Sequence, residues 1–221
     1  FTAVKVAKIL NYGVITLAAL MIGVATAKAG FGVLDRGLLL VLTASGIGLA
    51  WFDYARYRFV PPLTLAISLF ALAAWQTPDE LSFRLTLALF AGLQIAVPGF
   101  LVWQKRQPLF WALLSTLAAV FFYLFAYARM GAEIERITLW PLIEPRFWGA
   151  LALGLAAFAV EGARRVYLRS WDSDELRQQL LAVFAAAASG FIALGLSIEL
   201  EREFLSVAIA AEMLALCWIG S

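Results

Sequence analysis

Eight mostly apolar stretches, each of about twenty residues, cover most of this 221-residue chain, with short charged clusters between them. A helix rises about 1.5 Å per residue, so about 20 residues cross a hydrocarbon core of about 30 Å. Backbone groups in lipid must be hydrogen-bonded within a helix or a closed barrel. Barrel strands alternate apolar and polar residues, whereas these stretches are apolar on every face. The pattern therefore predicts an all-α, polytopic transmembrane bundle.

The composition agrees with this class of protein. Hydrophobic residues make up 63% and charged residues 14% of the chain, with a mean hydropathy of +0.88, whereas soluble domains are about half apolar. The net charge of +2 is too small to indicate a nucleic-acid partner. Histidine is absent, the single cysteine gives no disulfide framework, and no catalytic or metal-binding spacing occurs. We therefore predict no cofactor and no metal, and favour a non-enzymatic protein.

We expect the spans to form consecutive antiparallel hairpins, because their connections are short. The predicted spans are Ile9–Ala29, Gly37–Phe52, Val60–Gln76, Phe83–Trp103, Leu109–Ala128, Phe147–Ala163, Gln179–Ser197 and Phe204–Gly220. Together they predict a single transmembrane domain over residues 1–221. The chain opens at Phe1 without a methionine and ends at Ser221 directly after an apolar run, so we expect a piece of a longer protein.

The first span has two interpretations, a retained helix or a cleaved secretory signal. Lys5 and Lys8 precede its apolar run, and the small residues Ala25-Thr26-Ala27 follow it. The run is longer than the core of a typical signal, which favours a retained helix. With the N-terminus inside, ten of the 17 lysines and arginines fall on the inner side. We therefore predict that both ends of this piece are cytoplasmic.

Glu212 is the most unusual residue, because it falls at the centre of the last span. A charged residue at the middle of a bilayer costs about 2.5–3.5 kcal/mol on insertion scales. It is either a carboxylate that binds protons or cations, or a neutral acid that hydrogen-bonds a neighbouring helix. Residues at a similar depth form a predicted polar belt around it: Ser189, Gln94, Thr43, Ser45, Ser115 and Thr116.

Charged, small and helix-starting residues give further predictions. Glu161 precedes two arginines at three and four positions, the spacing of a helical ion pair. Membrane lipid is the expected partner of four inner arginines, either as headgroup contacts or through topology alone: Arg164, Arg165, Arg169 and Arg177. Pro61 and Pro108 are expected to begin two helices, and Ser173 or Asp172 to cap another. Small residues at four-residue spacing predict intramolecular packing or, alternatively, subunit association: Ala182, Ala186, Gly190, Ala150 and Gly154.

The last two helices resemble a known family. The segments 194–198, 204–208 and 211–219, with an acidic turn between the first two, resemble a bacterial multi-pass membrane family, domain of unknown function 2339. Glu212 matches the acid of that family and Trp218 its tryptophan. The resemblance implies a bacterial inner-membrane protein with more than eight helices, and it implies no reaction or catalytic residue.

Three functions remain open from the sequence. The first is a non-enzymatic scaffold or assembly partner in the cell envelope, which associates with further helices of the same chain or with a periplasmic protein. The second is a transporter or channel that uses Glu212 and the polar belt. The third is an enzyme that modifies envelope lipids or glycans, with its catalytic residues outside this piece.

Overall fold

The computed structural model describes residues 32–75, 80–104, 106–130 and 147–199, together with Leu17, Ala18, Met21 and Val24. Every regular element in this part of the chain is helical, without any strand. A short 3-10 turn, Val102–Gln104, extends the fourth helix. The predicted all-α class is therefore confirmed. The helices are α1 (Val33–Phe52), α2 (Tyr54–Tyr57), α3 (Val60–Ala74), α4 (Glu80–Leu101), α5 (Pro108–Met130), α6 (Phe147–Leu168) and α7 (Asp174–Glu199).

Five of the described helices are long and apolar enough to cross a membrane: α1, α4 with its 3-10 extension, α5, α6 and α7. Helix α3 is apolar but has only 15 residues. Six of the predicted spans coincide with these helices, whereas Phe204–Gly220 and most of Ile9–Ala29 lie outside the described residues. The helices fit a multi-pass membrane protein, and the total of eight spans stays a prediction.

Helices α1 and α6 are longer than the apolar runs that predicted them, at 20 and 22 residues. The predicted spans stopped beside Arg36 and Arg164, but arginine favours helix and its long stem carries the charge away from the apolar region. The predicted helix starts are confirmed at Pro61, in the first turn of α3, and at Pro108. Ser173 caps α7, since its Oγ accepts a hydrogen bond from the Leu176 N–H.

The chain divides into two compact units, residues 1–106 and 107–221, where the sequence predicts one domain. In the first unit α1 packs on α3 and α4. A Cβ added to Gly46 would lie 3.0 Å from Val60 Cγ1 and 3.1 Å from Thr64 Cγ2, so a larger residue there requires these side chains to shift where α1 meets α3. In the second unit α6 and α7 make the most extensive contact, and α5 packs mainly on α7.

The small residues that join α6 and α7 are not the predicted ones. A Cβ on Gly162 would lie 2.8 Å from the Phe184 ring, and one on Gly195 would lie 3.0 Å from Leu153 Cγ. A Cβ on Gly154 or Gly190 would meet nothing within 4 Å. In the described part of the chain four of the five predicted small residues are exposed, so their predicted intramolecular packing was wrong: Ala182, Ala186, Gly190 and Gly154. Ala150 is half-buried.

Candidate functional site

The first unit encloses a cluster of neutral polar side chains, Thr43, Thr64, Ser68 and Gln94, here called the hydroxyl–amide cluster. Each is buried, and they come from the middle of α1, from α3 and from α4. Thr64 lies beside Gly46, at the closest approach of α1 and α3. Because the three helices pack around these residues, the cluster lies inside the unit and near the centre of its helices.

The hydroxyl protons of the cluster are used by backbone carbonyls one turn earlier. Thr43 Oγ1 donates to the Leu39 carbonyl at 2.9 Å, and Ser68 Oγ donates to the Thr64 carbonyl at 2.7 Å. The two hydroxyl oxygens lie 3.4 Å apart, which is long for a hydrogen bond between hydroxyls. Either hydroxyl is able to share its proton between its backbone carbonyl and this contact, so the pair links α1 to α3 only weakly.

Gln94 supplies the donor that this arrangement requires. Its Nε2 donates to Ser68 Oγ at 2.9 Å, and the amide nitrogen must face the serine because the serine proton is already used. The carbonyl oxygen Oε1 is buried and has no hydrogen-bond donor within the described residues. A buried acceptor without a donor costs about 1–3 kcal/mol. A donor brought to Oε1 would therefore stabilise the cluster.

Pro98 leaves a second acceptor of Gln94, its backbone carbonyl, without the usual helical donor. Helix α4 continues through Pro98 to Leu101, and proline has no N–H to donate to the Gln94 backbone carbonyl four residues earlier. The neighbourhood of Gln94 is therefore rich in acceptors and carries no charge. Such a cluster can orient water or a solute that donates hydrogen bonds, but its groups do not titrate near neutral pH.

Two of the residues predicted to surround Glu212 meet in this cluster. Thr43 and Gln94 are linked through Ser68, as their similar depth in α1 and α4 suggests. Ser45, on the same helix as Thr43, is exposed, because two residues turn a helix by about 200°. Ser45 therefore does not join the hydroxyl–amide cluster, and its place in a belt around Glu212 stays a prediction.

The other predicted members belong to the second unit or lie outside the described residues. Ser115 is buried on α5, while Thr116 and Ser189 are half-buried. Glu212 lies outside the described residues, so its place in a polar belt stays a prediction.

Sequence reasoning missed Ser68 and Thr64, which connect the predicted residues. Both lie in the third apolar run, four positions apart, a spacing that places two side chains on one face of a helix. Their depth in the membrane, similar to that of Thr43 and Gln94, was the feature of the sequence that could have indicated them. Without knowledge of which helix faces meet, depth alone could not select them.

The two arginines on α6 that the sequence predicts on the inner side are held by a carboxylate. Arg164 Nε lies 2.7 Å from Glu161 Oε2, and Arg165 Nε lies 2.8 Å from Glu161 Oε1. The predicted helical ion pair is confirmed, with one carboxylate serving both arginines. Their charges are therefore partly neutralised on their own helix.

The remaining two arginines of this region also have local partners. Arg177 lies 3.3 Å from an Asp174 carboxylate oxygen, and the Arg169 guanidinium lies 5.7 Å from the centre of the Trp171 ring. Trp171 itself donates its indole N–H to the Val166 carbonyl at 2.9 Å. Residues 161–177 contain four arginines and four acidic residues, so the connection has no net charge. Contact with lipid headgroups stays a prediction for these four arginines.

Among the described residues, no group of three or more acidic, histidine or cysteine side chains is placed to hold a metal ion. Comparison of the chain with protein-family models, with curated proteins and with solved structures finds no match. The candidate site therefore rests on the geometry of the hydroxyl–amide cluster.

Proposed function

We propose that this chain is a non-enzymatic integral protein of a bacterial inner membrane that acts as a scaffold or assembly partner in the cell envelope. The chemistry of its interior is the observation that supports this. The buried polar side chains of the described helices are threonines, serines and one glutamine, none of them charged. Such groups join helices through hydrogen bonds, but they provide no acid or base near neutral pH.

The outward surface of both units supports the same proposal. Large apolar side chains are exposed along α1, α4, α5 and α6, for example Leu38, Leu89 and Phe158. Exposed apolar side chains in this number require lipid or a protein partner to cover them. The resemblance in the last thirty residues supports a longer bacterial membrane protein, whose further helices are one such partner.

Photo-crosslinking in cells tests the scaffold. Leu38 is 63% exposed and its neighbour Leu39 is 1% exposed, so the two give a matched pair of positions for a photoreactive residue. A scaffold predicts a protein adduct of one size from an outward position such as Leu38, Leu89 or Phe158, and none from Leu39. Depletion of the chain should then lower the cellular level of that partner. Adducts with lipid alone at every outward position, and unchanged levels of envelope proteins, would contradict the scaffold.

The proposed orientation has its own test. We propose that the connection between α6 and α7 is cytoplasmic and that the start of α1 lies outside. In a Cys217→Ser background, Ser170→Cys should react with a membrane-impermeant maleimide only after the cells are permeabilised. Gly32→Cys should react in intact cells. The reverse pattern would invert the proposed topology without affecting the scaffold.

A transporter or channel is the second candidate. The observation that favours it is the buried Gln94 Oε1, which accepts no hydrogen bond from the described residues. An acceptor-rich cluster near the middle of three helices is a place where a donor-bearing solute or a hydrated ion is stabilised. Liposomes that contain the purified chain should then show a proton or cation flux that Gln94→Leu and Glu212→Gln both reduce. A flux equal to that of empty liposomes would exclude this candidate and favour the scaffold.

A further inference from the structure

One end of the first unit carries an arginine that contacts three helices. Arg36 lies in the first turn of α1, and its guanidinium carbon is 5.7 Å from the centre of the Trp75 ring. Its Nη1 donates to Thr86 Oγ1 at 3.4 Å. Trp75 directly follows α3, and Thr86 belongs to α4. The side chain therefore reaches across the end at which α1 and α4 begin.

The surroundings of Arg36 hold its contacts in place. The Thr86 hydroxyl donates to the Ser82 carbonyl at 2.6 Å, so its oxygen remains as an acceptor for the guanidinium. The Trp75 and Phe83 rings meet edge to face at 5.8 Å, and both are buried. Since Trp75, Phe83 and Thr86 are all buried, the guanidinium lies against a fixed aromatic and hydroxyl surface.

The positive charge of Arg36 has no carboxylate partner among the described residues. The nearby Arg84 forms an ion pair with Glu80 on its own helix, whereas within residues 32–75 and 80–104 no such pair forms at Arg36. The Arg36 Nε is enclosed without an acceptor in the described part of the chain, so the cation is partly desolvated. Thr86 accepts one of the five guanidinium N–H groups. An oxyanion on the remaining terminal N–H groups would stabilise this charge.

We propose that Arg36, Trp75 and Thr86 form a binding site for a phosphate-type oxyanion, presented as the headgroup of an anionic phospholipid. The planar guanidinium fork matches the geometry of phosphate oxygens, and tryptophan favours the depth of lipid headgroups. The positive ends of the α1 and α4 dipoles lie at the same end of the unit and add to the attraction. This site goes beyond the proposed scaffold and does not depend on it.

The arginines around the α6–α7 connection make a useful contrast. Glu161 and Asp174 already neutralise three of them, and the fourth lies over Trp171. Arg36 instead combines an aromatic ring, a buried hydroxyl and an uncompensated charge. It therefore presents the stronger oxyanion site, although the sequence gives the other four arginines more prominence.

Lipid retention by the purified full-length chain tests the site. Native mass spectrometry compares the phosphatidylglycerol and phosphatidylcholine that stay bound after delipidation. Arg36→Gln should lower phosphatidylglycerol binding about fivefold, the effect of about one basic residue at a membrane surface, and should leave phosphatidylcholine unchanged. Arg36→Lys should lose part of the binding, because it keeps the charge without the fork. Arg84→Gln, at the same end but in an ion pair, is the matched control and should bind as the parent does.

Inorganic phosphate distinguishes the two sources of the ligand. Displacement of phosphatidylglycerol by millimolar phosphate from the parent, but not from Arg36→Gln, would show that the site also takes free phosphate. Retention of the lipid would show that it takes the headgroup alone, and both results support the site. Parent-like binding by Arg36→Gln, or an equal loss in Arg36→Gln and Arg84→Gln, would overturn it. If Arg36→Gln does not fold, Thr86→Val replaces it. This substitution keeps the charge of Arg36 but removes the hydroxyl that holds its guanidinium, so it should also lower phosphatidylglycerol binding. Unchanged binding would overturn the site.

Discussion

The two units join their helices by different physical means. In the first unit, Ser68 and Gln94 form a hydrogen bond between α3 and α4 inside the hydroxyl–amide cluster. In the second, α6 and α7 approach through glycines at positions 162 and 195, and the Tyr123 hydroxyl donates to the Trp148 carbonyl at 2.9 Å. Because lipid is as apolar as leucine, apolar residues alone do not hold helices together in a membrane. Buried polar groups and close approach are the two available solutions: the hydrogen bond between α3 and α4 uses the first, and the glycine contacts between α6 and α7 use the second.

The aromatic residues of the second unit extend the close packing. Tyr123 lies edge to face with Trp148 at 6.1 Å and with Phe191 at 6.0 Å, so rings from α5, α6 and α7 meet at one point. The contrast with the first unit yields four mutational tests, all measured as unfolding free energies in detergent.

Gly162→Leu should have the largest effect. Even a Cβ at this position would lie 2.8 Å from the buried Phe184 ring, so a larger side chain must push α6 and α7 apart. Overpacking of this kind costs about 3 kcal/mol. Gly154→Leu on the same helix is the control, since its Cβ meets nothing within 4 Å, and it should leave stability unchanged. Equal effects of the two substitutions would mean that close approach does not hold this pair together.

Tyr123→Phe should have the next largest effect. The substitution removes the hydrogen bond to the Trp148 carbonyl and keeps the ring contacts, which predicts a loss of about 1 kcal/mol. Tyr127→Phe, at a neighbouring and exposed tyrosine whose ring stacks on Tyr123, is the control and should cost less. A cost for Tyr123→Phe as large as that of Gly162→Leu would show that hydrogen bonding also dominates the second unit.

A double-mutant cycle on Ser68→Ala and Gln94→Leu should give a coupling of about 0.6 kcal/mol. That is the average for hydrogen bonds between helices in a membrane, and it measures the pair without the cost of each single substitution. The same cycle with Ser45→Ala, at an exposed serine, should give no coupling. If the Ser68 cycle also gives none, the hydroxyl–amide cluster does not specify how α3 and α4 meet.

Glu161→Gln should have the smallest effect. Its carboxylate binds Arg164 and Arg165 at an exposed end of α6, where water and salt screen the charges. We expect no measurable change in unfolding free energy. A loss as large as that of Tyr123→Phe would show that this ion pair, and not only packing, holds the second unit.

Particular residues show which features of the structure could be predicted from the sequence. Proline at 61 and 108, the Ser173 cap and the Glu161 ion pair were predictable, because each depends on neighbours within one turn of the chain. The partner of Gln94 was not, because it lies 26 residues away on another helix. The contacts of Arg36 with Trp75 and Thr86 were not predictable either, since both residues are distant from it in sequence.

The amino-acid sequence by itself determined the helical class, the position of most apolar helices and several of their ends. Tertiary structure alone decided which side of each helix is buried: Thr43 inside and Ser45 outside, Gly162 in contact and Gly154 open. The physical reason is that lipid and protein interior are equally apolar, so a membrane helix has no hydrophobic stripe to reveal its facing. In such a chain, only polar side chains and glycines distinguish one helix face from another, and the residues that they contact lie far away in the sequence.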